Sequence, residues 1–285
     1  MSRSLLKNLS RIMGKAATEV VPLGGGCIFG ASRVRLADGS QVVVKQGAGP
    51  VLGQLGLEGW MLDTLKRAGW PVPDVLHRED DLLVMEWIEN DGGMGAATQA
   101  DAGHRLAQLH QQKGPSFGLD RDTVIGALVQ PNEIAESWIP FFRDQRLGYM
   151  TQKAWEEGSL PTDFRRRLVA LSDRLEDYLV EPEFPALLHG DMWGGNVLVR
   201  NGRIAAFIDP AIYYGHPEIE LAFSTLFGTF NQTFFEAYEE ISPLGCEFFD
   251  IRRDLYNLYP LLVHVRLFGS SYLSGIDQTL KRVGL

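Results

Sequence analysis

The sequence has very little cysteine and a deficit of positive charge. Among 285 residues the two cysteines are Cys27 and Cys246, too few for the disulfide framework of a small secreted protein. Lysine and arginine number 27 against 36 aspartates and glutamates, a formal net charge of −9. Such a charge does not favour nucleic acids or anionic membranes. We therefore expect a protein of the reducing cytoplasm that binds neither nucleic acids nor membranes.

Long apolar runs are also missing from the sequence. No stretch approaches the ~18 consecutive apolar residues of a membrane-spanning helix. Residues 1–15, MSRSLLKNLSRIMGK, lack the apolar centre of a signal peptide and have the pattern of an amphipathic helix. The hydrophobic share of 45% is ordinary for a globular protein. The chain is long enough to form one large domain or two lobes.

The first third of the chain has the pattern of a small β-sheet. Residues 18–46 alternate β-branched residues with turn signals such as Asp38-Gly39, which is typical of antiparallel strands. A helix is predicted from about Leu52 to Ala68. The segment VLHREDDLLVMEWI then indicates two more strands joined by a charged turn. This part of the chain is expected to be a β-rich lobe.

Helical patterns dominate the rest of the chain, after a linker-like stretch at 89–99, ENDGGMGAATQ. The predicted helices cover 100–112, 132–157, 163–180, 217–228, 232–240 and 247–273, and one hairpin at 197–208 interrupts them. We therefore expect an α+β fold with a β-rich lobe at 1–88, a hinge at 89–95 and a helical lobe at 96–285. Two such lobes would leave a cleft between them.

The hairpin is predicted from NVLVRNGRIAAFIDP. Asn201-Gly202 is the strongest two-residue hairpin signal, because both central residues of a type I′ turn need a positive φ. If this turn sets the register, Asn196 lies opposite Phe207 and Asp209 lies just beyond the same open end. Asp191 is in the adjoining loop, LLHGDMWGGN, five residues before Asn196.

The three side chains of Asp191, Asn196 and Asp209 are therefore expected to converge. An Asp followed five residues later by Asn, then a hairpin and a second Asp, is the arrangement of a kinase catalytic and metal-binding loop. We expect Asp191 to accept or orient a hydroxyl proton, and Asn196 and Asp209 to hold Mg²⁺ on the phosphates of ATP. The alternative is that all three are turn residues that only satisfy the backbone.

The N-terminal part offers an independent test of a kinase-like fold. Lys45 follows three valines on a predicted strand, and Glu58 falls on the apolar stripe of the predicted helix. A carboxylate buried there would need a positive partner, since burial alone is costly. We expect Lys45 to be that partner and to hold nucleotide phosphates. Otherwise Glu58 would be exposed on a helix with a broad apolar face.

The segment PLGGGCIFGAS would cover the phosphates. Gly24, Gly25 and Gly26 allow the backbone to approach a phosphate closely, and Cys27 follows them. The segment departs from the G-x-G-x-x-G pattern of protein kinases. Cys27 is interpreted either as a small loop residue or as an accessible thiol whose oxidation gates nucleotide binding.

The segment LVMEWI is the predicted hinge. Backbone groups from Glu86 to Ile88 would meet the adenine edge of ATP. Together with the phosphate-covering glycines, they complete a predicted nucleotide site.

Five segments of the chain occur in an order typical of one kinase family: GGGCI, HGDMWGGN, DPAIYYGHPEIELAF, LFGTFNQTFFEAYEE and LYNLYPLLVHVRLFG. Through them the chain resembles the fructosamine kinase (ketosamine 3-kinase) family, a branch of the aminoglycoside-phosphotransferase-like kinases. HGD…N…D alone indicates only the wider superfamily, whereas DPAIYYGH and LLVHVRLFG are far more specific. The departures are Met192 where Leu is frequent, Gly194 where Ser is common, and CIFG in place of CIN.

The resemblance implies a protein-kinase-like two-lobe fold and a repair activity. Members transfer the γ-phosphoryl group of ATP to the third-carbon hydroxyl of a sugar attached to an amine, after which the adduct decomposes. Trp193 would be a stacking wall for the sugar, and His264 would meet a sugar hydroxyl. The alternative for each of them is a side chain that only packs in the core. The partner would be a small glycated amine or a protein-bound ketosamine, and the chain a monomer or a homodimer.

Two other readings stay open on the sequence. A kinase of an aminoglycoside, choline or homoserine would carry the same catalytic residues. A catalytically dead nucleotide-binding module is the second alternative, although such a module has no need to keep the whole set of charged residues.

Overall fold

The computed structural model describes residues 3–24, 30–47 and 54–285. The chain forms two compact units, the first from 1–94 with 195–210 and the second from 95–194 with 211–285. The α+β fold class is confirmed, because an antiparallel sheet occurs beside a mainly helical part. The functional division into a nucleotide-binding lobe, a hinge and a catalytic lobe stays a prediction.

The described residues of the first unit contain a five-stranded antiparallel sheet. Its strands are β1 Ala17–Pro22, β2 Gly30–Leu36, β3 Gln41–Gln46, β4 Val75–Glu79 and β5 Leu82–Glu86. They lie in the order β1-β2-β3-β5-β4. Two helices accompany them, α1 Arg3–Met13 and α2 Gln54–Arg67. Both helices lie where the apolar periodicity predicts them, and the strands lie within the two stretches whose alternation predicts a sheet.

The two faces of β3 have different neighbours because successive side chains of a strand point in opposite directions. Val42 and Val44 are buried in an apolar cluster that includes Leu5 and Leu9 of α1. Lys45 is on the other face and is nevertheless buried. The amphipathic helix predicted at the N-terminus thus covers one side of the sheet, and the opposite side carries the charged group.

The predicted hairpin forms between β9 Val197–Arg200 and β10 Arg203–Phe207. Asn201 and Gly202 have φ values of 53° and 70°, as a type I′ turn requires. The pairing shifts between Ile204 and Ala206, so Phe207 lies opposite Val197. The predicted pairing of Phe207 with Asn196 is wrong by one residue. A β-bulge adds one residue to a strand, and a turn sequence does not reveal it.

The hairpin belongs to the first unit because backbone hydrogen bonds attach it there. The N–H of Asp91 donates to the Val199 carbonyl at 2.8 Å, and the Val199 N–H donates to Asn90 Oδ1 at 3.0 Å. The N–H of Phe207 donates to the Pro71 carbonyl at 2.8 Å. The beginning of the linker-like stretch is thus held against β9.

The second unit is mainly helical. Its helices are α3 Ala96–His110, α4 Trp138–Phe141, α5 Tyr149–Glu156, α6 Thr162–Ser172, α7 Pro217–Thr225, α8 Gln232–Glu239, α9 Arg253–Phe268 and α10 Leu273–Arg282. Two pairs of three-residue strands were not predicted: β6 Thr123–Ile125 with β7 Leu128–Gln130, and β8 Ala186–Leu188 with β11 Tyr213–Gly215. Within the described ranges, every helix is too short or too polar to cross a membrane.

Three of the predicted long helices are shorter or interrupted in the structure. The one predicted at 163–180 ends at Ser172 and is followed by a 3₁₀ turn, Leu175–Asp177. The one predicted at 132–157 begins at Trp138 and includes a π-helical stretch, Phe142–Gly148. The one predicted at 247–273 ends as a helix at Phe268, where Gly269 has a φ of 94°. A residue in that left-handed region ends a helix, and glycine adopts it without steric cost. The chain then re-enters a helix, α10.

Candidate active site

The first unit buries a lysine against two carboxylates. Lys45 Nζ on β3 donates to Glu58 Oε1 on α2 at 2.7 Å and to Asp209 Oδ1 at 2.5 Å. Lys45 and Glu58 are buried, whereas the Asp209 side chain is 36% exposed. The predicted pairing of Lys45 with Glu58 is therefore present. The contact with Asp209 joins the sheet to the segment after β10.

The carboxylates keep this lysine positively charged. Burial lowers the pKa of the Lys45 ammonium, but the adjacent charges of Asp209 and Glu58 outweigh it and raise that pKa above its usual value. Burial raises the pKa of Glu58, and the positive charge of Lys45 opposes the rise. A buried ammonium with one partly exposed carboxylate partner can meet a phosphate group without first gaining a proton.

The hairpin carries two oxygen-bearing side chains at its open end. The N–H of Ile208 donates to the Asn196 carbonyl at 3.0 Å, so Asp209 is one residue beyond the last paired position. Asn196 is buried and Asp209 has a φ of 54°, which is unusual for a residue with a side chain. Carboxylate and amide oxygens suit Mg²⁺, which binds few protein ligands and takes phosphate oxygens and water for the rest.

The side-chain chemistry therefore fits a magnesium site completed by a nucleotide. Among the described residues, no group of three or more His, Cys, Asp or Glu side chains could enclose a metal ion. A site in which protein side chains supply all the ligands is therefore not favoured, and Mg²⁺ usually binds without one. This finding is compatible with the predicted pair of ligands.

The loop before Asp191 is held by a buried glutamate of the second unit. Glu220 on α7 accepts the His189 N–H at 3.1 Å and the Gly190 N–H at 2.5 Å. The Asp191 N–H donates to His189 Nδ1 at 3.3 Å. Glu220 thus orients the backbone that leads into Asp191, the predicted catalytic residue.

Two residues that the sequence did not single out support this glutamate. His110 Nε2 lies 2.9 Å from Glu220 Oε2, and His110 Nδ1 lies 2.8 Å from the Tyr238 hydroxyl. Because a carboxylate only accepts, Nε2 carries the proton. Burial raises the pKa of Tyr238, which therefore remains a neutral donor to Nδ1. His110 is far from Glu220 in the sequence, and a histidine on a helix gives no signal of such a contact.

Close approach requires glycine at two positions of this loop. Gly190 has a φ of 88°, and a Cβ there would lie 2.0 Å from the Ala211 carbonyl oxygen. At Gly194, a Cβ would lie 2.7 Å from Thr229 Oγ1, which accepts the Gly194 N–H at 2.9 Å. The absence of a side chain at Gly194 therefore leaves room for Thr229.

Trp193 and His264 belong to one group of aromatic side chains in the second unit. The Trp193 ring centroid lies 6.0 Å from that of Phe227, which lies 4.9 Å from that of His264. His264 Nδ1 is 2.7 Å from the Pro260 carbonyl oxygen. Burial lowers the pKa of His264, and this hydrogen bond opposes the shift. The two predicted substrate residues are connected through Phe227.

The predicted hinge follows the end of β5. The N–H of Glu86 donates to the Asp74 carbonyl at 2.9 Å, so an adenine contact by Glu86 would use its carbonyl oxygen. Ile88 is half-buried two residues further on. The binding of adenine by Glu86 and Ile88 stays a prediction.

The predicted phosphate-covering loop is only partly described. The Leu23 N–H donates to the Ala31 carbonyl at 2.9 Å, next to Gly24, which is described. The predicted residues Gly25, Gly26 and Cys27 lie outside the described residues.

The predicted site residues are thus divided between the two units. Lys45, Glu58 and Asp209 form one cluster of the first unit, which also carries Asn196. Asp191 belongs to the second unit. Its convergence with the metal-ligand pair stays a prediction.

A strand lysine buried against a helix glutamate, and a downstream D-x-x-x-x-N loop with a hairpin and a second aspartate, define a kinase of the protein-kinase-like fold. The sequence pattern of the family described as "Fructosamine kinase" matches residues 1–284. The chain belongs to the fructosamine kinase family, so it is a phosphotransferase that acts on a hydroxyl group.

Relatives and solved structures agree with this assignment. "Probable ketoamine kinase YniA" of Escherichia coli (strain K12) is 32% identical over 291 residues, covering 99% of each chain. "Protein-ribulosamine 3-kinase, chloroplastic" of Arabidopsis thaliana is 33% identical, covering 96% of this chain and 86% of the relative. The crystal structure of a "putative fructosamine-3-kinase" from Thermobifida fusca YX-ER1 superposes with a TM-score of 0.88 at 33% identity, covering 99% and 98% of the two chains.

A more distant likeness shows the fold alone. The structure of the complex of gentamicin with APH(2")-IIa has a TM-score of 0.68 at 15% identity, covering 99% of this chain and 96% of the other. The protein-kinase-like fold expected from the sequence is therefore confirmed.

Proposed function

We propose that this protein is an ATP-dependent kinase that phosphorylates the third-carbon hydroxyl of ketosamines, with Mg²⁺ as the assisting metal. The substrate is the sugar part of a glycated amine, either free or attached to a protein. Phosphorylation there makes the adduct unstable, so the activity would repair glycation. Membership of the fructosamine kinase family supports the substrate class, and the names of the ketoamine and ribulosamine kinases point the same way.

The buried ion-pair cluster is the observation that carries the kinase assignment. Lys45, held by Glu58 at 2.7 Å, would grip the phosphates of ATP. Its 2.5 Å contact with Asp209 keeps the ammonium next to a predicted metal ligand. Asp209 and Asn196 would hold Mg²⁺, which would neutralise charge on the phosphate oxygens when bound. Backbone groups of Glu86 and Ile88 would bind the adenine, under the glycine-rich loop.

The second unit would supply the groups that act on the acceptor. Asp191 would orient the sugar hydroxyl and take its proton as the oxygen attacks the γ-phosphorus. Trp193 would stack on the sugar ring, and His264 would hydrogen-bond one of its hydroxyl groups. The Glu220 contacts at 2.5 and 3.1 Å restrict the backbone before Asp191, which keeps the base in place between turnovers.

A substrate panel tests the acceptor class. ADP release would be measured with ribulosyl-, fructosyl- and erythrulosyl-amines beside kanamycin, choline and homoserine, each at several concentrations. We expect a ketosamine to give the highest kcat/KM. If kanamycin, choline or homoserine is preferred, the ketosamine assignment is wrong. If Mg·ATP binds but no acceptor is turned over, the chain is a nucleotide-binding module.

Two substitutions test the separate roles of the aspartates. Asp191→Asn should leave Mg·ATP binding largely intact and lower kcat by about 10²–10⁴-fold, the usual contribution of a general base. Asp209→Asn should weaken Mg²⁺-dependent nucleotide binding as well as turnover. Calorimetry at several Mg²⁺ concentrations measures binding. The control is Asp38→Asn in an exposed turn. If Asp191→Asn abolishes nucleotide binding while Asp209→Asn spares it, the two roles are reversed.

The cellular setting completes the proposal. We propose a cytoplasmic location, in keeping with the two cysteines and the absence of a disulfide framework. Gel filtration with light scattering would distinguish a monomer from a homodimer.

A further inference from the structure

Five rings of the second unit form a continuous aromatic strip, which we define as Trp193, Phe227, His264, Phe268 and Tyr272. From the Trp193–Phe227 and Phe227–His264 contacts, the strip continues to Phe268 at 5.4 Å and to Tyr272 at 4.9 Å, measured between ring centroids from His264. His264 and Phe268 are four residues apart on α9 and so share one helix face. The strip begins at the loop of the predicted base, since the Trp193 N–H donates to the Asp191 carbonyl at 3.2 Å.

Two rings of the strip are open to solvent. Phe227 is 40% exposed and Phe268 is 47% exposed. Single exposed apolar side chains are common, but adjoining exposed aromatic rings mark a surface that binds something. Such rings contribute large apolar area at a small cost in side-chain entropy.

His264 provides a hydrogen-bonding group at the centre of this aromatic surface. Its Nδ1 lies 2.7 Å from the Pro260 carbonyl oxygen, which can only accept, so Nδ1 carries the proton. Burial lowers the pKa of His264 and favours the neutral ring. The lone pair of Nε2 can then accept a hydrogen bond from an N–H or O–H group of a ligand. The strip thus offers π-faces that suit a positively charged secondary amine, beside the acceptor that the proposed function assigns to a sugar hydroxyl.

We propose that the part of the aromatic strip formed by Phe227, Phe268 and Tyr272 is the subsite for the group attached to the amine of the ketosamine, and that it favours apolar and aromatic groups. This inference rests on the proposed function, because the sugar must occupy the Trp193 end for the amine to reach Phe227. The amine is attached two carbons away from the reacting hydroxyl, so its substituent extends away from the base. The protonated amine would lie over the rings, and its carbon substituent would cover Phe227, Phe268 and Tyr272.

The test compares two substrates with the same sugar. One is the fructosyl derivative of methylamine and the other is that of phenethylamine. We expect the wild-type kcat/KM to favour the phenethylamine derivative by about tenfold, the ratio that corresponds to about 1.4 kcal/mol. Phe268→Ala and Phe227→Ala should lower this ratio to between about one and about three, because the apolar contact area is removed.

A matched control separates the strip from exposed aromatic residues in general. Phe249 is 41% exposed in the same unit and contacts Phe248 and Phe235, outside the strip. Phe249→Ala should keep the wild-type ratio. Phe268→Leu retains apolar bulk without the ring, so it should give an intermediate ratio, and thermal melting confirms that each variant is folded.

The outcomes distinguish this inference from the function on which it rests. If the wild type phosphorylates neither fructosyl amine nor any other ketosamine, the proposed function fails and the subsite fails with it. If both substrates are phosphorylated and the ratio is unchanged in Phe227→Ala and Phe268→Ala, the subsite is disproved while the kinase function stands. A peptide glycated on lysine, added to the panel, shows whether the carbon chain of lysine uses the strip. If the lysine chain uses the strip, kcat/KM for the glycated peptide should fall in Phe227→Ala and Phe268→Ala. A fall confined to the phenethylamine derivative assigns the strip to free amines.

Discussion

Replacing Glu220 by glutamine should separate positioning of the catalytic loop from general stability. The carboxylate accepts three N–H groups, two on Oε2 from His189 and His110 and one on Oε1 from Gly190. A glutamine side chain has a single acceptor oxygen. The His110 ring can adapt, since the other tautomer would accept from the glutamine NH₂ and donate to Tyr238.

One backbone N–H, of His189 or of Gly190, must then face an NH₂ group. A buried donor without an acceptor costs about 1–3 kcal/mol, and loss of the charge weakens the remaining bond by about 1 kcal/mol. Glu220→Gln should therefore lower the free energy of unfolding by about 2–4 kcal/mol. That leaves a protein of ordinary stability folded. The loop before Asp191 should nevertheless shift, and a displacement of about 1 Å can cost about 10²-fold in rate.

The assay combines urea unfolding with steady-state kinetics under conditions where each variant is fully folded. The matched control is Glu181→Gln, because Glu181 also accepts two backbone N–H groups, those of Trp138 at 2.6 Å and Ile139 at 2.9 Å. We expect the control to lose about 1 kcal/mol of stability and to retain the wild-type kcat. If Glu220→Gln loses stability with an unchanged kcat, Glu220 does not position the loop. An equal loss of kcat in both variants would attribute the effect to stability alone.

Three further predictions concern other parts of the two units. Burial and the charge of Arg252 lower the pKa of His216 to about 3. As the pH falls, the unfolded chain therefore binds this proton first, and the free energy of unfolding decreases once the pH is below the His216 pKa of the unfolded chain. We expect a decrease of about 2 kcal/mol between about pH 7 and about pH 5. His216→Asn keeps an acceptor at the start of α7, so this decrease should be absent from the variant in urea titrations over the same pH range. A decrease equal to that of the wild type would refute the assignment. Gly190→Ala should be strongly destabilised in thermal melts, whereas Gly202→Ala, which has a φ of 70° but open space around it, should cost only about 1–2 kcal/mol; similar costs would contradict the steric argument. Glu58→Gln should weaken Mg·ATP binding in calorimetry by about tenfold, because Lys45 then loses one of the charges that orient it; unchanged binding would mean that the remaining carboxylate suffices.

The parts of the fold that the sequence predicts are those specified by local patterns. Val42 and Val44 alternate with Val43 and Lys45, so the strand and its two faces follow from residue spacing alone. Asn201-Gly202 likewise predicts its turn from two residues. The register two pairs further along the hairpin depends on a bulge, and no local residue signals it.

Non-local contacts could not be read from the chain. The strands Ala186–Leu188 and Tyr213–Gly215 have three residues each and exist because they pair with each other. A strand of that length has too few residues to show an alternating pattern. The pairing of His110 with Glu220 joins distant segments in the same way.

The candidate site was predictable to a different degree in its different parts. Lys45, Glu58 and Asp209 were predicted because a kinase requires these residue types in this order, and the structure places them in contact. The contacts of His110 and Tyr238 behind Glu220 were not predicted, since buried hydrogen-bonding residues vary in type and sequence distance. Residues that take part in the reaction form a recognisable sequence motif, whereas the residues that orient them do not.

The division of the first unit into two separate stretches of chain has a consequence for its synthesis. Residues 195–210 belong to that unit although all of 95–194 must leave the ribosome before them. Lys45 is therefore made early, but its partner Asp209 emerges only after most of the chain has been translated. A nascent or truncated chain ending at 94 also lacks the strand that Asn90 and Asp91 bind. Nucleotide binding should consequently appear late in translation, once the segment up to Pro210 has been released, and not when the five-stranded sheet is complete.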